Sequence, residues 1–279
     1  MAALWMTGTI FSFCLMAIVI RWLGDDIHVL QMLFVRSLIG LSVISLIIFY
    51  LQPASFKSVR IRLQVFRNAF HFLGQYGWYL GITLLPLSQV FAIEFTVPLW
   101  TLFVAAVALK EPITRTKMVS IGLGFTGVLI IVQPDFSQVD WALLIVLGAA
   151  IAYAIAHTST KALSKHDSVL TILFYMCLIQ LPMSSLLMIP HWKWPSILEW
   201  MGLFAIGTTA LTAHFCMIKA MSYGEITQIV ILDFLRLPVI AIVAAWLFSE
   251  TMEWTLLIGG LLMLLGNWIL VSRARKIPS

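Results

Sequence analysis

Four charged residues stand inside long apolar stretches of this chain: Arg36, Glu94, Asp233 and Arg236. A charge at the centre of a hydrocarbon layer costs about 2.5–3.5 kcal/mol on insertion scales. Each of the four must therefore face an interior, pair, or sit beside water. Asp233 and Arg236 are three residues apart, so on a helix they share a face. Either they form a buried structural ion pair, or Arg236 holds an anionic group of a ligand while Asp233 orients it or titrates. Glu94 poses a similar choice. It pairs with Arg36 across helices, or it has no partner and serves, like Asp233, as a proton-coupling site. Arg36 accordingly reads a ligand or serves only that pair.

Histidines and aromatics accompany these charges. His71, Gln75 and Trp78 recur at spacings of four and three, with Tyr79 beside them. Tyr153 and His157 are four apart, and Trp100 and His214 stand in further apolar runs. Small-molecule sites combine apolar walls with a few placed polar groups, and these residues supply both. A histidine in such a run also serves as an interhelical hydrogen bond, and that reading stays open for all three. No two of them stand in one run at metal-ligand spacing beside an acid. Cys14, Cys177 and Cys216 form no ligand pattern either and read as small core residues. No metal and no cofactor is expected.

The elements that position these residues must be membrane helices. The chain is 61% apolar and 10% charged, against about 25% charged for globular proteins. Ten apolar runs recur, at roughly 3–22, 28–51, 64–84, 88–108, 114–132, 141–160, 169–189, 198–219, 226–247 and 254–272. Each is long enough to cross about 30 Å of hydrocarbon as a helix. Barrel strands are about half that length and alternate apolar with polar, so a β-barrel is excluded. The first run lacks a basic stretch before it, and no cleavable signal peptide is expected. With ten spans both ends share a side. That side carries thirteen lysines and arginines, Arg67, Lys117 and Lys161 among them, against two, Arg21 and Lys193, on the other. Basic loops stay in the cytoplasm, so both termini are expected there. The net charge of +5 is then a topology signal, and no nucleic-acid partner is implied.

The chain is also a duplication. Ser88-Gln-Val-Phe-Ala-Ile-Glu94-Phe95 is answered 139 residues later by Thr227-Gln-Ile-Val-Ile-Leu-Asp233-Phe234. The same offset pairs Glu111 with Glu250, Gly127 with Gly266 and Val132 with Val271; an offset of 140 pairs Gly8 with Gly148 and Arg21 with Lys161. The expected units are 1–136 and 137–279, each of five helices. An odd number means that the second unit enters the membrane from the other face, as in transporters that expose a central site alternately. Pro98 and Pro238 follow the two acids by four and five residues. Each kinks its helix, either to free backbone polar groups beside the acid or only to pack. Glu111 and Glu250 read as caps of the turns that follow them; a gating salt bridge from Glu111 to Arg115 or Lys117 is the other reading.

These features resemble the EamA branch of the drug/metabolite transporter superfamily. The residues that carry the resemblance are Phe34-Val-Arg36, Glu94-Phe-Thr-Val-Pro-Leu-Trp-Thr-Leu102, Leu109-Lys-Glu111, the Gly122, Gly124 and Gly127 set, Asp233-Phe-Leu-Arg-Leu-Pro238 and Phe248-Ser-Glu250. The resemblance implies an all-α integral membrane fold of ten helices. It implies a central cavity lined by the first, third, fourth, sixth, eighth and ninth. The fifth and tenth would be peripheral, as a scaffold or homodimer surface. Relatives with this look are said to carry amino acids, S-adenosylmethionine, riboflavin or carboxylates. The expected function is a secondary transporter, in a bacterial inner membrane, of a small polar metabolite that is partly anionic or zwitterionic. An amphipathic, lipid-like substrate entering from the bilayer is the alternative. No loop holds an active site, and neither a nucleotide-binding G-x-x-x-x-G-K-[ST] nor an H-E-x-x-H occurs, so no enzyme is expected.

Overall fold

The computed structural model describes residues 1–51, 56–133, 141–226, 229, 232–249 and 254–274. These form eleven α-helices and two single-turn 3-10 helices, with no strand among them. The helices are α1 (Ala2–Leu23), α2 (Val29–Leu51), α3 (Ile61–Leu84), α4 (Leu87–Glu94), α5 (Val97–Ala108), α6 (Arg115–Val132), α7 (Trp141–Leu163), α8 (Val169–Met188), α9 (Ile197–Ser222), α10 (Arg236–Phe248) and α11 (Trp254–Ala274). The short turns are Ile189–His191 and Asp233–Leu235. Glu250 lies outside the described residues.

The expected fourth run is two helices. Pro98 sits in the first turn of α5 and has no N–H to give to the carbonyl of Glu94 one turn back. The chain leaves the helix at Phe95 and Thr96 and re-enters it, with the N–H groups of Leu99 and Trp100 bonded to the Thr96 carbonyl. In the second half Asp233 opens the 3-10 turn that leads into α10. Half-buried Glu94 and buried Asp233 therefore each stand at a break in the helix.

Among the described residues, six segments are long and apolar enough by length and composition to cross a membrane: Ala2–Leu23, Val29–Leu51, Leu87–Ala108, Trp141–Leu163, Val169–His191 and Ile197–Ser222. α3 falls short of that hydropathy because it carries Gln64, Arg67, Asn68, His71 and Gln75. All five are buried, so its polarity points inward. The outward surface is apolar instead, with Phe11, Phe49, Val107, Trp246 and Trp268 exposed.

Packing runs in four pairs: α1 with α9, α3 with α7, α2 with α8, and α6 with α11. Close approach needs small residues. A Cβ on Gly74 would meet the Tyr153 ring at 2.9 Å, and one on Gly127 would meet the Gly259 carbonyl oxygen at 2.5 Å. Side chains fix the helix ends. Thr114, Ser168 and Ser196 cap α6, α8 and α9. Arg21 donates to the carbonyls of Ile82 and Leu85 at the end of α3. Lys161 does the same for Met221 and Gly224 at the end of α9.

Candidate functional site

The two helix breaks meet. Nη2 of Arg236 lies 2.8 Å from Oε1 of Glu94 and 2.6 Å from Oδ2 of Asp233. The guanidinium lies over aromatic faces, 5.0 Å from the Phe13 ring centre and 4.9 Å from that of Phe91. Trp78 donates its indole N–H to Oε2 of Glu94 at 2.7 Å. Arg236 and Asp233 are buried. One cation faces two carboxylates, so with both acids ionised the centre carries net negative charge. Among the described residues Oδ1 of Asp233 and Nε of Arg236 have no hydrogen-bond partner, an open acceptor and an open donor at this centre.

A cavity opens on the trio, lined by Phe13, Trp78, Glu94, Tyr153, His157, His214, Met217, Asp233 and Arg236. These come from α1, α3, α4, α7, α9, the 3-10 turn and α10, so both halves contribute. Its free volume is about 20 Å³, on the scale of a single water. A metabolite needs these walls to move apart.

Of the residues singled out from the sequence, Arg236, Asp233, Glu94, Trp78, Tyr153, His157 and His214 share this cavity. Arg36, His71, Gln75, Tyr79 and Trp100 are not in its lining. Glu94 is paired with Arg236, so the cross-helix pair with Arg36 does not form. Arg36 instead donates to Oε1 of Gln180 at 3.4 Å. His71 bonds Gln180 through Nδ1 at 2.8 Å, and its ring packs against those of Tyr153 and His214. Gln75 is buried with Oε1 unpartnered. Tyr79 points its hydroxyl at Sδ of Met16, and Trp100 donates to Oγ1 of Thr96. Arg67 and Lys117, taken as basic residues of the aqueous side, are buried.

Phe13, Phe91 and Met217 escaped the sequence reading. Nothing in an apolar helix distinguishes one phenylalanine from its neighbours until the position of the cation is known. Among the described residues no cluster of histidine, cysteine and carboxylate suits a metal.

The pattern of the EamA-like transporter family matches residues 1–133 and again 140–272. The chain belongs to the EamA-like transporter family. It is accordingly a multi-pass membrane protein of a transporter family and not an enzyme. An S-adenosylmethionine uptake transporter of Rickettsia felis is 26% identical over 259 residues, 93% of this chain and 88% of its own. A riboflavin transporter of Vibrio cholerae is 29% identical over 190 residues, 62% of this chain and 63% of its own. A pseudopaline exporter of Pseudomonas aeruginosa is 24% identical over 271 residues, 95% and 94% of the two chains. One crystal structure superposes with a TM-score of 0.78 at 15% identity, over 100% of this chain and 99% of that one. At that identity the EamA-like chain shares its fold.

Proposed function

We propose that the protein is a secondary transporter that moves a small polar metabolite, zwitterionic or partly anionic, by alternating access. The observation that carries this reading is the Glu94–Arg236–Asp233 trio. A charge centre buried in the membrane, at two helix breaks and between two halves of one chain, is costly to keep for structure alone. A cationic group of the substrate, or a proton, competes with Arg236 for Glu94 or Asp233 and thereby couples occupancy to rearrangement. Tyr153, His157, His214 and Trp78 supply the remaining wall, with Arg36, His71, Gln75, Tyr79 and Trp100 reached as it opens. S-adenosylmethionine, named for one relative, carries both a cationic sulfonium and an amino-acid head, which suits such a centre.

Equivalence of two inverted five-helix repeats, 1–136 and 137–279, is supported residue by residue. Lys110 and Ser249 are 139 apart and share a left-handed backbone, φ 57° and 54°. Arg21 and Lys161 hold the ends of α3 and α9 through matching carbonyls. Gly127 touches Gly259 while Ser120 donates to the Gly266 carbonyl. That is one contact and its two-fold image. On the thirteen-to-two bias of basic residues, both termini face the cytoplasm of a bacterial inner membrane. The pair α6 and α11 offers an apolar outer face for lipid or for a homodimer.

The second reading, an amphipathic substrate, has one observation in its favour. A groove of about 410 Å³ between α3 and α7, lined by Phe70, Leu73, Tyr76 and Ile151, opens on the apolar exterior.

The test is uptake into liposomes holding the purified protein. Labelled S-adenosylmethionine, riboflavin, amino acids and carboxylates are offered with and without a pH gradient, beside a folded Arg236→Gln variant. Saturable uptake of one class, lost in the variant, is the expected result. Equal uptake by the variant makes the trio structural.

A further inference from the structure

A second group of buried charges lies beside the cavity and contains no acid. Arg36 and Arg67 are 3% and 1% exposed. Arg67 donates from Nε to Oγ1 of Thr160 at 3.0 Å and from Nη1 to Oδ1 of Asn68 at 2.6 Å. Gln180 joins the two arginines. Its Oε1 accepts from Arg36, and its Nε2 faces both Asn68 Oδ1 and His71 Nδ1. Among the described residues no carboxylate makes a salt bridge with Arg36 or Arg67. The acid nearest in the hydrogen-bond network, Asp167, is occupied by Ser58, the Val59 N–H and Gln64.

The unused atoms here include two donors. An arginine has five N–H groups, and Nε of Arg36 has no partner. Because the amide nitrogen of Gln180 faces Nδ1 of His71, that atom accepts and the ring proton sits on Nε2. Nε2 too is buried and unpartnered. Two cations and a neutral N–H donor, all buried, lack a counter-anion. The group also adjoins the trio. Ring contacts of 4.8 Å from His71 to His214 and 5.3 Å from His214 to Phe13 lead to the guanidinium of Arg236, 5.0 Å from Phe13. The pole at the cavity is acid-rich, and the pole beside it is acid-free.

We propose that Arg36 and Arg67, with Nε2–H of His71, form a carboxylate seat that takes the anionic end of the transported molecule while its cationic end lies at Glu94 and Asp233. This deepens the transport reading and rests on it for the word transported. The seat itself is tested by binding alone. A molecule that fills both poles has its opposite charges several bonds apart. An uncharged analogue of either end leaves one pole uncompensated.

The probe is sodium acetate, titrated into the full-length protein in phosphatidylcholine nanodiscs at constant ionic strength set by the bulky anion of MES. Tryptophan fluorescence and the thermal midpoint report binding. Saturable binding by the wild type is expected. Its Kd should rise about tenfold in a folded R36Q variant, the loss of one charged hydrogen bond. If R36Q does not fold, His71→Leu replaces it, with the same expected rise. The seat is refuted by no acetate response in the wild type, or by equal binding in the variant. Binding of sodium chloride with no response to acetate overturns the carboxylate assignment in favour of an inorganic anion. Failure of every substrate in the uptake assay, with acetate binding intact and sensitive to Arg36, refutes the transport reading and leaves the seat standing.

Discussion

Arg236 gathers two carboxylates and two close aromatic faces onto one guanidinium, and Trp78 holds the outer carboxylate from the far side. The indole bond is charge-assisted and mostly screened from water, which makes it worth about 1.5–3 kcal/mol. Trp78→Phe keeps the ring and removes only the N–H. A drop in thermal midpoint of several degrees is expected, with uptake reduced at least tenfold in the same preparation. Unchanged uptake would show that Glu94 needs no orienting donor. Sequence spacing brought Asp233 and Arg236 onto one face and singled out Glu94 as the repeated acid. It offered Glu94 either Arg36 or no partner, and the cation it meets is Arg236. Ion pairing between segments depends on how helices stand against one another, and the linear pattern of one helix carries no record of its neighbour's rotation.

At the scale of elements, the tightest approach of a described glycine to a neighbouring backbone is at α6 and α11. A methyl group on Gly127 would strike a backbone oxygen at 2.5 Å, whereas one on Gly122 meets nothing within 4 Å. Alanine is otherwise favoured over glycine in a helix by about 1 kcal/mol. Gly127→Ala should therefore lower the thermal midpoint, and Gly122→Ala should leave it unchanged or raise it. Equal effects would mean that the two helices separate at no cost. The apolar runs located the helices to within a few residues because run length and turn residues are local signals. The interruption at Phe95 and Thr96 was less legible. Pro98 announced a kink, but whether a proline bends or breaks a helix depends on what donates to the freed carbonyl.

At the scale of the molecule, the two halves are tied by charge at one end. Lys117 is buried, 2.7 Å from Oε2 of Glu225 and 3.6 Å from Oε2 of Glu111, and it donates to the Pro112 carbonyl. Glu111 also accepts the N–H of Ile226, at the start of the ninth segment. The sequence had offered Lys117 as one partner of Glu111, without Glu225. Lys117→Met leaves two acids without this shared cation. In the proposed alternating access, a loss of about 1 kcal/mol from a form closed at this end is about a fivefold change in population. A Met217→Cys variant, in a background with the native cysteines replaced, should then be alkylated about fivefold faster from the side of that tie. Unchanged alkylation would mean that the ion pairs do not hold the end shut.

Glu94 and Arg236 are 142 residues apart in the chain. At about 5–20 residues per second of synthesis, the acid exists for roughly 7–28 s before its cation does. During that interval Glu94 already has Trp78, made sixteen residues earlier. The indole is thus a partner for the nascent chain as well as for the finished one. The order in which the ribosome delivers these groups supplies the acid's neutral donor first and its charged partner last.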